Sequence, residues 1–189
     1  MKHTTDIAFL GGARWQETDQ TYIDAYNVAK ILAQEGFRVI NGGGPGVMEA
    51  ATRGAHDGGQ KFVVAVTYEI TEGHKNYEGK DTRNNYDEEI ITTDYFDRTK
   101  VMLENADIHI VFNGSTGTLS EFGMTWASSR IHEGHHKPII LYGNHWVPII
   151  KALYENMLIS KEELALLKHC NTPEEVLAYV IEIDNKRNI

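Results

Sequence analysis

Residues 108–121 read Ile108-His109-Ile110-Val111-Phe112-Asn113-Gly114-Ser115-Thr116-Gly117-Thr118-Leu119-Ser120-Glu121. An apolar run, a turn of small and hydroxyl residues, and the opening of a helix follow one another without a break. A strand that passes into a helix in this way predicts an α/β protein built on a parallel sheet. Glycines let the backbone approach a ligand closely, and the N–H groups of a helix N-terminus favour an anion, so the turn suits a phosphate. Asn113, Gly114, Ser115, Thr116, Gly117 and Thr118 are therefore the expected substrate-binding turn. Glu121 follows one helical turn later, within reach of whatever the phosphate carries.

The same rhythm runs through the chain. Apolar runs at residues 7–10, 39–40, 62–66, 89–93, 108–112 and 138–141 predict strands, mostly continuous rather than alternating, as in a sheet covered on both faces. Between them, Tyr22, Ala25, Tyr26, Ala29, Leu32 and Ala33 follow helical spacing, and Gly36 closes a helix over 21–34. Pro45 is suited to a first helical position, opening a helix that runs through Ala55 to Gly58-Gly59. Further helices are predicted over 97–105, 118–130, 146–156, 161–167 and 173–185. Strand then helix, repeated, predicts one domain with a doubly wound parallel sheet, helices on both faces and right-handed crossovers. Ligands of such sheets bind at the carboxyl ends of the strands. Two more glycine turns fall there, Gly11-Gly12 and Gly42-Gly43-Gly44-Pro45-Gly46, and Gly12, Gly43 and Gly44 are expected to join the substrate site. Residues 71–87 are polar and aperiodic and predict a long loop of the kind that forms lids or interfaces.

Bulk composition narrows the class. The 189 residues are 41% hydrophobic and 24% charged, which fits one globular core. A net charge of -9 argues against nucleic-acid polymers and membrane surfaces as partners, because both are bound through basic patches. A small phosphorylated ligand stays compatible, since a local site can be positive on an acidic protein. Cys170 is the single cysteine, which excludes an intrachain disulfide and multi-thiolate metal sites. No signal peptide precedes Phe9 and no apolar run reaches membrane-spanning length, so a soluble, cytoplasmic protein is expected.

Each motif has a competing structural reading. Thr118 and Glu121 have the spacing of a capping box, as do Ser160 with Glu163 and Thr172 with Glu175 ahead of other helices. The preceding Gly114-Ser115-Thr116-Gly117 is more than a cap requires. Arg98, at the start of a helix, opposes the helix dipole unless an anion is near; that anion is a ligand or, in the simpler reading, Asp94 or Asp97. Gly42 to Gly46 follows the second strand and Val47 stands where a dinucleotide fingerprint has its third glycine, which argues against a nicotinamide cofactor. No GxxxxGK[ST] occurs. His132, His135 and His136 lack a fixed helical register, and no metal site is expected of them.

Taken together, Gly42-Gly43-Gly44-Pro45-Gly46-Val47-Met48-Glu49-Ala50-Ala51, Arg98 with Met102, and the stretch from Gly114 to Glu121 resemble the LOG (Lonely Guy) family, often mislabelled as lysine decarboxylases. The resemblance spans most of the chain. Its members are nucleoside 5'-monophosphate phosphoribohydrolases, which release a cytokinin-type or ordinary purine base and ribose 5-phosphate. The family marker PGGxGTxxE keeps Gly114, Gly117, Thr118 and Glu121 here, with Asn113 for the proline and Ser115 for the second glycine. The family's arginine-lysine pair falls on Arg98 and Thr99, and Lys100 stands next to it. The resemblance implies a homodimeric Rossmann-like fold, no cofactor, and Arg98 and Glu121 as the catalytic pair. Aromatic and methionine residues around Met102 to Trp126, more than one small core needs, agree with a homodimer.

That chemistry agrees with the residue types. Cleaving an N-glycosidic bond builds positive charge on the ribose, which a carboxylate such as Glu121 stabilises. Arg98 positions the substrate or balances charge on the departing base, and the turn amides hold the 5'-phosphate. A decarboxylase needs a pyridoxal cofactor and its lysine, for which no motif provides context. Two other classes stay open. One holds a nucleotide or nucleotide-like cofactor without cleaving it; related Rossmann-like proteins include molybdenum cofactor carriers. The other binds single-stranded DNA on a similar fold, against which the acidic charge argues.

Overall fold

A computed structural model describes residues 5–60, 62–68, 80–131 and 137–187. Among them the chain runs β1 (Asp6–Leu10), α1 (Gln20–Gln34), β2 (Arg38–Asn41), α2 (Val47–Asp57), β3 (Val64–Tyr68), β4 (Glu88–Thr92) and α3 (Tyr95–Asn105). It continues with β5 (Ile108–Val111), α4 (Thr116–Ile131), β6 (Ile139–Tyr142), α5 (Trp146–Asn156), α6 (Lys161–Leu164), β7 (Leu167–Cys170) and α7 (Pro173–Arg187). The strands form one seven-stranded sheet in the order β4-β3-β2-β1-β5-β6-β7, parallel throughout. This is the expected Rossmann-like, doubly wound α/β sheet, with helices on both faces.

Alternation along the strands divides the core. Ile7, Phe9, Val39, Ile108, Ile110 and Ile140 pack with α1, α2 and α7. Ala8, Leu10, Ile40, Val111, Ile139 and Leu141 pack with α3, α4 and α5. Burial on both faces explains why the inner strands are largely apolar, whereas the edge strands β4 and β7 carry exposed charged residues. Strand order reverses between β1 and β5, where Ile7 pairs with Ile108 and Leu10 with Val111. On the other side of β1, Ala8 pairs with Ile40. This register brings the turns after β1, β2 and β5 out side by side at a topological switch point.

Several boundaries differ from the sequence expectation. The helix expected over 161–167 ends at Leu164, and residues 167–170 form a seventh strand, because β6 offers them a ladder and Cys170 a buried position. Long-range pairing overrides the helical spacing of Leu164 and Leu167. Pro45 stands outside α2, whose N-cap is Gly46 with φ 68°. Helix α3 opens at Tyr95, capped by the Asp94 side chain, which accepts from Phe96 N and Asp97 N at 2.8 and 2.9 Å. Helix α4 opens at Thr116, and its first helical bond runs from Leu119 N to Ser115 O at 3.0 Å. Thr118 is thus inside the helix, so the expected capping box with Glu121 does not form there. Ser160 and Glu163 do form one, reciprocally. Thr172 and Glu175 form half of one: Glu175 N donates to Thr172 Oγ1 at 3.2 Å, while the Glu175 carboxylate accepts from Asn171 N rather than Thr172 N.

His132, His135 and His136, and residues 71–79 of the predicted loop, lie outside the described residues. No helix among the described residues is long and apolar enough to cross a membrane.

Candidate functional site

Backbone bonds lock the three glycine turns together. Gly12 N donates to Asn113 O at 3.0 Å, and Val47 N donates to Gly12 O at 3.1 Å. Trp15 Nε1 donates to the same Asn113 carbonyl at 2.8 Å. Gly46 and Gly114 show why this knot is built of glycine. Gly46 has a positive φ, and a Cβ there meets the Gly12 carbonyl oxygen. A Cβ on Gly114 meets Thr118 Oγ1 and stands 2.7 Å from Gly12 N. The glycines that looked like ligand contacts therefore also permit one turn to touch the next.

Gly43 and Gly44 are buried below the surface of the crevice. Gly43 N donates to Asn41 Oδ1 at 2.8 Å, and Asp81 N donates to Gly43 O at 3.1 Å. Asn84 Nδ2 donates to Gly44 O at 2.8 Å and to Asn41 Oδ1 at 3.3 Å, while Asn41 Nδ2 donates to Thr52 Oγ1 at 3.0 Å. These bonds give the second turn a supporting frame in which Gly42 is the glycine that reaches the cleft. Asn41 and Asn84 escaped the sequence reading. The available signal was a polar residue, Asn41, closing a strand directly before five loop residues of which four are glycine.

The cleft is lined by Phe9, Leu10, Met48 and Met102 beneath and by Gly11, Ala13, Gly42, Arg98, Gly117, Thr118 and Glu121 around them. Its volume of about 10 Å³ is roughly the room needed for one water molecule. Arg98 Nη2 lies 3.4 Å from Glu121 Oε1, and the two residues are 3% and 6% exposed. Asp94 and Asp97 are thus not the partners that bury this arginine. Two tyrosine rings, of Tyr95 and Tyr68, lie 5.3 and 5.7 Å from its guanidinium carbon. A pair so far withdrawn from water costs desolvation energy that its own attraction rarely exceeds by much, which marks it as a place where charge serves more than stability.

Of the expected turn residues, Gly117 and Thr118 line the cleft, Gly114, Ser115 and Thr116 are exposed at its rim, and Asn113 is half-buried with its carbonyl engaged. Gly12 is buried, with its N–H and carbonyl used between turns. The N–H groups of Thr116, Gly117 and Thr118 precede the first helical bond of α4, so they have no acceptor within the helix. Anion capture beside a buried cation–carboxylate pair is what this arrangement can do. Cys170 takes no part. It is buried at the far edge of the sheet, and burial pushes its thiol up to about 11.

The fold and this crevice define a Rossmann-like α/β protein with its candidate site at the sheet's switch point. Residues 4–177 match the SLOG cluster4 family, and the chain belongs to that family. An uncharacterized protein of Archaeoglobus fulgidus is 29% identical over 138 residues, covering 72% of this chain and 83% of that one. Among solved structures, the molybdenum cofactor binding protein of Rippkaea orientalis superposes with a TM-score of 0.71 at 20% identity, covering 97% of this chain and 99% of that one. The molybdenum cofactor carrier protein of Chlamydomonas reinhardtii gives 0.69 at 18%, over 95% and 98%. DNA processing protein A of Helicobacter pylori, solved for its single-stranded DNA binding mode, gives 0.56 at 12%, over 94% and 80%. At these identities the likeness is one of fold.

Proposed function

We propose that this protein hydrolyses the N-glycosidic bond of a nucleoside 5'-monophosphate, AMP-like or a cytokinin riboside monophosphate, to free base and ribose 5-phosphate. The observation that carries the reading is the buried Arg98–Glu121 pair beside the N-terminus of α4, in a cleft with room for a water. The N–H groups of Thr116, Gly117 and Thr118 hold the 5'-phosphate, which fixes the ribose over the cleft. As the C1'–N bond breaks, its electron pair leaves with the base and positive charge grows on the ribose, where the Glu121 carboxylate stabilises it. Water adds its oxygen to C1', and the proton it loses ends on the departing base. Arg98 balances the negative charge developing on that base. No cofactor enters the reaction.

Incubation with a panel of nucleoside monophosphates, with free base and ribose 5-phosphate measured, tests the proposal. Base release that Glu121→Gln reduces roughly a hundredfold, with AMP affinity held within about threefold, is the expected result. Tight nucleotide binding by the wild type without base release makes the protein a carrier instead. Asn113 and Ser115, which depart from the LOG marker, and the resemblance in fold to molybdenum cofactor proteins favour that second reading. The reading continues with a homodimer, on different grounds from the sequence argument. Met102 and Phe122 are consumed by the core, whereas Leu119, Gly123, Ala127 and Ile131 form an exposed apolar stripe on α4. Beside it Met157 and Leu158 are exposed as well.

A further inference from the structure

We propose that Tyr95 is the positioning residue that holds Arg98 in register with Glu121 and the phosphate turn; its kinetic consequence rests on the phosphoribohydrolase reading, its geometry does not. Arg98 is carried by α3 and Glu121 by α4, helices from different parts of the chain. Tyr95 touches both. Its ring lies 5.3 Å from the Arg98 guanidinium carbon, and its hydroxyl donates to Gly117 O at 3.3 Å. Gly117 stands one turn ahead of Glu121, so the same side chain that bears on the cation ties down the turn from which the carboxylate projects.

The base of this tether is firm. Asp94 caps the turn that carries Tyr95, and Thr99 Oγ1 donates to Tyr95 O at 3.0 Å. A guanidinium that has lost nearly all its water gains from an aromatic face, whose quadrupole replaces part of the missing hydration. The flat ring also restricts tilt, which leaves the N–H edge directed at Glu121 and at whatever oxygen a ligand presents. Removing the ring frees the guanidinium to turn. Removing the hydroxyl alone loosens α4 from α3.

The full-length protein with Tyr95→Phe and Tyr95→Leu tests this, with AMP as the probe. Protein labelled with ¹⁵N-arginine reports Arg98 through its side-chain Nε–H resonance, assigned by its loss in Arg98→Lys. Tyr95→Leu is expected to move that resonance toward the position of an unstacked arginine and to lower kcat for adenine release roughly tenfold, with KM within about threefold. Tyr95→Phe is expected to keep the resonance and lower kcat by about threefold, the loss of one hydrogen bond. An unmoved resonance in folded Tyr95→Leu overturns the inference whether or not AMP is cleaved. If Tyr95→Leu does not fold, an unchanged kcat in Tyr95→Phe overturns it. A wild type that releases no base while its Arg98 resonance shifts in Tyr95→Leu overturns the hydrolase reading and upholds the tether.

Discussion

The crevice at the switch point and the outer layer of α4 and α5 are built on opposite terms. In the crevice polar groups are buried and bonded to one another, down to backbone bonds between adjacent turns, with Asn84 Oδ1, among the described residues, the one atom of that frame left over. The outer layer is apolar and open. Trp146 is the one buried residue of α5, and cavities of about 430 and 330 Å³ flank the helix. Leu158 beside it is fully exposed. Even α4 divides this way, with Thr118, Glu121, Thr125 and Ser129 buried inward and Leu119, Gly123 and Ala127 facing out. A helix that buries four polar side chains beside Phe122 on its inner side and exposes an apolar stripe on its outer side serves a site on one face and suits a contact on the other.

The sharpest way to break this contrast is to add a methyl group to the crevice. Gly46→Ala forces a left-handed backbone on alanine and drives its Cβ into the Gly12 carbonyl. A loss of about 4 kcal/mol in urea unfolding is expected, against a gain of up to ~1 kcal/mol for Gly123→Ala, a mid-helix position whose Cβ meets only open space. Equal losses at the two sites erase the distinction.

Under the outer layer lies His109, a buried imidazole whose pKa burial, aided by the Lys137 ammonium, pushes down to about 4. It faces Lys137 and Asp107, and Lys137 Nζ also caps α3 through Leu103 O and Glu104 O. The unfolded chain binds a proton here near 6.5 and the folded chain does not, so stability is full above that value and is lost as pH falls toward 4. The loss attributable to His109 over that window is about 3 kcal/mol. Urea titrations at several pH values, wild type minus His109→Leu, measure it; a difference independent of pH removes the burial argument.

Glu121→Gln is expected to cost base release about 2.7 kcal/mol in barrier, a hundredfold, while melting shifts by a few degrees. A melting loss as large as that of Gly46→Ala makes the pair a structural one. The smallest effect belongs to the outer layer. Leu158→Asp is expected to weaken self-association at least roughly tenfold in sedimentation while leaving AMP turnover near wild type. A wild-type monomer at micromolar concentration leaves the apolar layer without its proposed occupant.

Much of this was legible along the chain, because strand and helix periods and glycine punctuation are local properties. Continuous apolar runs, each followed by a turn and a helix, were enough for the doubly wound sheet and for placing three turns at one edge, whereas Arg98 and Glu121 as a pair came from the resemblance to the LOG family. Local patterns failed where a distant partner outweighed them. Leu164 and Leu167 share helical spacing, yet the ladder of β6 makes a strand of residues 167–170. Thr118 and Glu121 match a cap, but the helix had already begun at Thr116. The tertiary structure alone decided that Arg98 meets Glu121 rather than Asp94 or Asp97, that Tyr68 joins its helical neighbour Tyr95 at the guanidinium, and that Asn84 braces Gly44 so that the second turn frames the site from within. Those contacts join segments separated along the chain, and their geometry follows from strand order and register, which no periodicity encodes.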